Sequence, residues 1–324
     1  MPRFLNKNIP VITTIPIYVI GSSNTDMVIR TQKLPRPGET VMGTDFIINP
    51  GGKGANQAVA AARLGSQITF IARVGNDLFG KQALEHFQRE NIDTSFVSID
   101  SKHPSGVALI GVDAHGENSI MVAPGSNAHL DVESVGQALN TVQNGSIILL
   151  QLEIPMETVA FAIKKANSAG CKVILNPAPA KIIDPQLLRY VHVITPNESE
   201  AEILSGLPVT DIDTAARAAQ KLHDLGVPNI VITLGSKGAF LSSDSIQKLI
   251  PSPVVTPVDT TAAGDCFNGA LAIGLSEGLA LDDAVSFACR AASISVMRMG
   301  AQASMPYRKE VDDISLRTVR KLKF

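Results

Sequence analysis

The chain is poor in cysteine, balanced in charge and free of long apolar runs, and each absence removes a class of protein. Its three cysteines, Cys171, Cys266 and Cys289, are odd in number and show no CxxC spacing. They support neither a disulfide framework nor a zinc site, and read as reduced thiols of a cytoplasmic protein. Against 30 Asp and Glu stand 28 Lys and Arg, a formal net charge of −2. That balance gives no electrostatic footprint for nucleic acid; the densest basic stretch, Arg317 to Lys323, reads as a solvated tail. No stretch reaches the roughly 18 apolar residues that a membrane span needs, so no membrane association is expected. Arg3 and Lys7 precede a mostly apolar run from Val11 to Ile20, but Thr13, Thr14 and Pro16 interrupt it and no convincing cleavage site follows. Ile17 to Ile20 is better used as a first buried strand.

What is present is enough apolar material for a large core: 324 residues, 45% hydrophobic and 18% charged. Short, largely apolar segments (Ile68 to Ile71, Ile147 to Leu150, Val173 to Leu175, Val191 to Ile194, Ile230 to Thr233) alternate with longer helical patterns. The helical stretches fall at Ala55 to Leu64, Phe79 to Glu90, Met156 to Ser168, Glu198 to Leu204, Ala215 to Leu225, Cys266 to Leu275 and Leu281 to Met299. Gly65, Gly170 and Gly226 follow three of them as stop signals. Such alternation predicts βαβ units and an α/β fold, a doubly wound, mostly parallel sheet flanked by helices. Residues 25–49 and 105–124 break the rhythm; their alternation and turn signals predict antiparallel hairpins forming a small separate sheet. No internal repeat or low-complexity linker divides residues 1–324.

The run Val258 to Leu271, VDTTAAGDCFNGAL, puts a glycine-flanked acid at a loop-to-helix junction. The first amides of a helix have no intrahelical acceptor and lie at its positive dipole end, which suits a phosphate. Ala263 and Gly264, after the run-in Thr260 to Ala262, are therefore candidates for an anion cradle. Asp265 in the first turn is a candidate general base or a capping residue. A second glycine cluster runs from Asn49 to Gln57. It is no Walker A loop, because Gly54 follows Lys53 where Ser or Thr is required, and the dinucleotide fingerprint fails at Gln57.

Together with Gly21 to Asp26, Asn197 to Glu200 and Thr233 to Gly238, these motifs resemble the ribokinase/phosphofructokinase-B family of carbohydrate kinases, in family order from about Ile17 to about Pro306. The resemblance implies ATP-dependent phosphorylation of D-ribose to ribose 5-phosphate, with Asp265 as base and Ala262, Ala263 and Gly264 donating amides. It implies sugar contacts from Asn24, Asp26, Gly52, Lys53, Asn56 and Glu153, where the residues alone leave Asn24 as a turn residue and Asn56 as a helix cap. It places Asn197, Thr233, Gly235 and Gly264 near the nucleotide. Cys289 stands where many relatives carry His or Asn beside adenine. Glu200, on one helix face with Asn197, would hold Mg2+ through water, or the pair is a cap with a solvated acid. Asp259 and Ser304, with the carbonyls of Thr261, Ser295, Arg298 and Gly300, match a K+ site. Residue type alone leaves Asp259 structural, a second acid or a cation ligand. The small sheet would be a lid over the sugar and the interface of a homodimer. A 2-deoxyribokinase, or another pentose or nucleoside kinase, is the alternative within the class. A ribose- or nucleotide-binding regulator that kept the fold and lost turnover is the alternative outside it.

Overall fold

The computed structural model describes residues 15–321, so Arg3, Lys7 and the start of the apolar run at Val11 lie outside the described residues, as do the side chains of the Arg317 to Lys323 tail. Thirteen strands are seen: β1 (Ile17–Ile20), β2 (Asn24–Thr31), β3 (Gly43–Gly51), β4 (Ile68–Gly75), β5 (Asp93–Asp100), β6 (Gly106–Val112), β7 (Asn118–Ala123), β8 (Ile147–Leu150), β9 (Lys172–Leu175), β10 (Val193–Ile194), β11 (Asn229–Thr233), β12 (Ala239–Ser243) and β13 (Gln247–Ile250). The main sheet has the order β13-β12-β11-β10-β9-β8-β1-β4-β5. Every pair from β11 to β5 is parallel, while β12 and β13 add an antiparallel edge.

The central strands IYVI and IILL are buried along their whole length, as helices on both faces require. Their alternate residues feed two cores. Ile17, Val19, Ile147 and Leu149 pack on one side with the helices Lys53–Arg63, Ala263–Ser276 and Leu281–Ser295. Tyr18, Ile20, Ile148 and Leu150 pack on the other with the helices Met156–Ser168 and Ile212–Asp224. Gly65, Gly170 and Gly226 follow the helices as expected, at φ of 106, 73 and 96°.

Several boundaries differ from the sequence pattern. The last helix of that pattern stops at Ser295 rather than Met299, and residues 296–300 form a turn. The expected strand from Val191 shrinks to Val193–Ile194. The Val132–Leu139 helix and strands β5, β12 and β13 are additions: the edge strands β5 and β13 are half-exposed, β12 is a short buried strand, and a two-turn helix carries weak periodicity. The two irregular segments do form antiparallel hairpins, β2 with β3 and β6 with β7, in a four-stranded sheet of order β3-β2-β6-β7. The hairpins are joined by a parallel pairing of β2 with β6.

One close approach sets the geometry of the site. A Cβ on Gly269 would lie 2.7 Å from Ala60 Cβ and 2.8 Å from the Gln57 carbonyl, so the Ala263–Ser276 helix packs backbone-tight on the Lys53–Arg63 helix. Gly269→Ala should cost about 1–3 kcal/mol by overpacking, read by urea denaturation. Because Asp265 lies one turn away, the same change should lower kcat; wild-type stability and turnover would show that the contact has slack.

Candidate active site

Burial of an acid beside donors dominates the centre of the molecule. Asp265 is 5% exposed. Asn56 Nδ2 donates to its Oδ2 at 2.9 Å and Gln57 Nε2 to its Oδ1 at 3.0 Å. Burial pushes the Asp265 carboxyl above the usual carboxylate range, opposed by the Lys53 charge and by the two amide donors. The Ala263–Ser276 helix that carries it starts from Ala262, held in the left-handed region at φ 58°, ψ 17°, an uncommon conformation for a residue with a side chain. One expectation is corrected here: the Ala263 amide is not free but donates to the Thr260 carbonyl at 3.2 Å. Among the described residues, the amides of Ala262, Gly264 and Asp265 have no protein acceptor. Open space lies beside Gly264, with no atom within 4 Å of where a Cβ would sit. The candidate cradle therefore loses the Ala263 amide and gains that of Asp265.

The candidate sugar contacts gather around this acid. Asn56 has no capping role, since the N-cap is Gly52; its Oδ1 is buried without a partner. Gly52 sits at φ 89°, and a Cβ there would lie 2.7 Å from the Asn24 amide nitrogen, so only glycine fits. Asn24 opens β2 rather than turning the chain, and its Oδ1 accepts from Asn127 Nδ2 at 2.8 Å. Glu153 Oε2 accepts from Ser22 Oγ at 2.5 Å and from the Lys53 amide at 3.0 Å. Asp26 is raised to about 7 by burial and by the Glu153 and Asp265 charges, against the pull of Lys53. Burial alone would depress Lys53, but Asp265, Glu153, Glu200 and Asp26 raise it, so it is a firm cation among acids.

Asn197 and Glu200 form a reciprocal capping box on the helix Glu198–Ser205, at 2.8 and 2.9 Å. The acid is not solvated, however. Glu200 is buried and raised by that burial, the Asn197 amide and Lys53 opposing. Thr233 ends β11 and bridges to Asn197, and Gly235 follows at φ 54° with open space beside it. These residues share the carboxyl edge of the parallel sheet, where ligands of such folds sit. Cys289 does not present its thiol there: it is 3% exposed within the apolar core, and burial pushes it up to about 12.

The Asp259 loop is tied to the turn after the helix Leu281–Ser295. Asp259 accepts from the Thr261 and Gly300 amides, both at 2.9 Å. Burial would raise it, but those bonds hold it below the usual range. Ser304 is fully buried and donates to the Ala301 carbonyl. The Ser295 carbonyl accepts from the Arg298 amide, whereas the carbonyls of Thr261, Arg298 and Gly300 receive no donor among the described residues. An anionic oxygen beside unsatisfied carbonyls is a donor set suited to a weakly hydrated monovalent cation.

The sequence reading gave no role to a set of buried polar residues: Ser22 and Asn268 inside its own motifs, and Asn127, Gln151, Asn176 and Thr195 outside them. Gln57 was in view within the glycine cluster but had no role. Each of Gln151, Asn176 and Thr195 directly follows an apolar strand, which is the signal that could have found them.

The chain matches the model of the pfkB family of carbohydrate kinases over residues 15–308. It is 45% identical to the ribokinase of Haemophilus influenzae over 294 residues, covering 91% of this chain and 96% of that protein. It is 38% identical to a deoxyribokinase of Salmonella typhi, covering 90% and 95%. The Thermotoga maritima ribokinase structure superposes with a TM-score of 0.86 at 41% identity, covering 93% of this chain and 99% of that one. The Arabidopsis thaliana ribokinase, solved with ribose and ATP, gives 0.83 at 34% identity, covering 96% and 99%. With that match across nearly its whole length, the chain belongs to the pfkB family of carbohydrate kinases.

Proposed function

We propose that this chain phosphorylates D-ribose at its 5-hydroxyl with ATP, using Asp265 as the general base. The observation that carries the reading is the buried Asp265 carboxylate, held by Asn56 and Gln57 at the mouth of a helix whose Gly264 and Asp265 amides lack acceptors. Asp265 takes the hydroxyl proton as the oxygen attacks, and the free amides stabilise the charge on the migrating phosphoryl group. Asn24, Asp26, Lys53, Asn56, Glu153 and the Gly52 backbone hold the sugar hydroxyls, and the unpartnered Asn56 Oδ1 is an acceptor ready for one of them. Asn197, Thr233 and Gly235 face the nucleotide phosphates and ribose. The ribokinase relatives support this substrate pair, and the deoxyribokinase relative keeps 2-deoxyribose as the second reading.

Mg2+ would neutralise phosphate charge when bound, with Glu200 as its outer ligand through water; among the described residues no cluster of three or more His, Cys, Asp or Glu offers a direct cage. K+ would be held by Asp259 with the carbonyls of Thr261, Arg298 and Gly300, the resemblance adding the Ser295 carbonyl at the end of the preceding helix and the Ser304 hydroxyl. That ion would fix the loop leading into the amide cradle.

The small sheet is proposed as a lid. Its register puts Asp26 on one face, and exposed Ile29, Phe46, Ile48, Leu109 and Met121 together on the other. Such an apolar face suits a second copy of the chain. Among the described residues no helix is long and apolar enough to cross a membrane. The cytoplasm is the proposed place of work, a reading supported by the use of ATP and by the three free thiols among the described residues.

Three outcomes test this reading. Asp265→Asn should lower turnover by about 10² to 10⁴-fold in an ADP-release assay; unchanged turnover refutes the base, and a marked preference for 2-deoxyribose over ribose overturns the substrate. Asp259→Ala should lower activity severalfold in KCl and flatten its dependence on K+, whereas the same K+ response as wild type removes the site. Phe46→Asp should convert a dimer to monomer in sedimentation; a wild-type chain that already sediments as a monomer ends the dimer proposal.

A further inference from the structure

Below the proposed base and amide cradle runs a chain of buried side-chain amides that the scheme above leaves idle. Gln57 Nε2 bonds Asp265 and also donates to Asn176 Oδ1 at 3.1 Å, while Gln57 Oε1 accepts from Gln151 Nε2 at 2.5 Å. Asn176 Nδ2 donates to the Thr195 carbonyl at 3.2 Å. The Thr195 hydroxyl donates to Asn268 Oδ1 at 2.6 Å, and Asn268 Nδ2 donates to the Gly264 carbonyl at 2.8 Å. The path starts at the Asp265 carboxylate and returns to the backbone of the residue before it. Its members are nearly solvent-free, with Gln57 at 0%, Asn176 at 7% and both Thr195 and Asn268 at 1%.

Two acceptor-only ends fix the sense of the path. A carboxylate can only receive, so Gln57 must turn its NH2 to Asp265 and its oxygen to Gln151. The Gly264 carbonyl can only receive, so Asn268 must turn its NH2 there and its oxygen to the Thr195 hydroxyl, which donates to it at 2.6 Å in preference to the Leu175 carbonyl at 3.4 Å. Between them Asn176 shows its oxygen to Gln57 and its NH2 to the Thr195 carbonyl. No member can flip without breaking a bond in a dry site, where an unmade bond is costly. The residues come from different elements. Gln57 lies on the Lys53–Arg63 helix, Asn176 and Thr195 follow β9 and β10, and Asn268 lies one turn into the helix that carries Asp265.

We propose that Gln57, Asn176, Thr195 and Asn268 form a positioning circuit that locks the Asp265 carboxylate and the Gly264 end of the amide cradle into one rigid unit referenced to the carboxyl edge of the sheet. None of the four is needed to touch substrate; they act through Asp265 and Gly264. The inference rests on Asp265 being the base.

The test compares wild type, Gln57→Met and Thr195→Val. The kcat–pH profile with ribose and ATP is recorded beside a 13C NMR titration of the Asp265 carboxylate, identified by its loss in Asp265→Asn. The charged neighbours Lys53, Glu153, Glu200 and Asp26 are the same in all three proteins. Losing a donor to the ionised form raises an acid's pKa. In Gln57→Met the carboxylate titration and the acid limb of kcat should therefore both move up by about one pH unit. Plateau kcat should fall at least about tenfold, with the KM for ribose nearly unchanged. Thr195→Val should lower plateau kcat severalfold with the Asp265 titration in place, because it cuts the circuit on the Gly264 side. A merely structural role would reduce folded protein and activity equally at every pH. Unmoved titration and limb in Gln57→Met, or wild-type kcat in Thr195→Val, overturns the circuit. A titration that shifts as expected in a protein that phosphorylates no sugar would leave the circuit standing and remove the kinase reading instead.

Discussion

A carboxylate that must stay ionised out of water constrains most of this molecule. Burying Asp265 favours its neutral form, and the base proposed here works only when it is charged. The structure answers with two amide donors and a nearby lysine, all arriving from the first glycine cluster and its helix. The glycines of that cluster follow from the same need. Gly52 lets backbone lie against the start of β2, and Gly269 lets the two helices touch closely enough for Asn56 and Gln57 to reach the acid.

The parallel sheet supplies the reference frame. Strands β8, β9 and β10 end on one edge and are followed by Gln151, Asn176 and Thr195, so strand ends buried in the core place polar groups just where the apolar layer stops. Glu153 and the Asn197–Glu200 cap occupy the same edge, and the acids there surround Lys53. Burial and the neighbouring acids raise Asp26 to about 7, whereas hydrogen bonds from Thr261 and Gly300 hold Asp259 low against its own burial.

Much of this could be read from the residues. Ile17–Ile20 and Ile147–Leu150 declare themselves by being apolar throughout, and Met156–Ser168 by its period and its following glycine. The acid, the glycine clusters and the Asn197–Glu200 pair stood out because their chemistry is local in sequence. The pairing of Asp259 with Gly300 was not visible, since it joins loops 41 residues apart through backbone amides that residue type does not reveal. Gln57 and Asn268 were hidden for a similar reason: a polar residue inside an apolar helix is informative only once its partner is known. The occupied Ala263 amide was missed because a left-handed Ala262 cannot be foreseen from alanine.

The most direct measurement is a crystal structure with ribose and a non-hydrolysable ATP analogue bound together. The account predicts the ribose 5-oxygen within about 3 Å of the Asp265 carboxylate, in line with a terminal phosphate seated on the Gly264 and Asp265 amides. A sugar bound with that hydroxyl directed away from Asp265, or a phosphate held elsewhere, would contradict it.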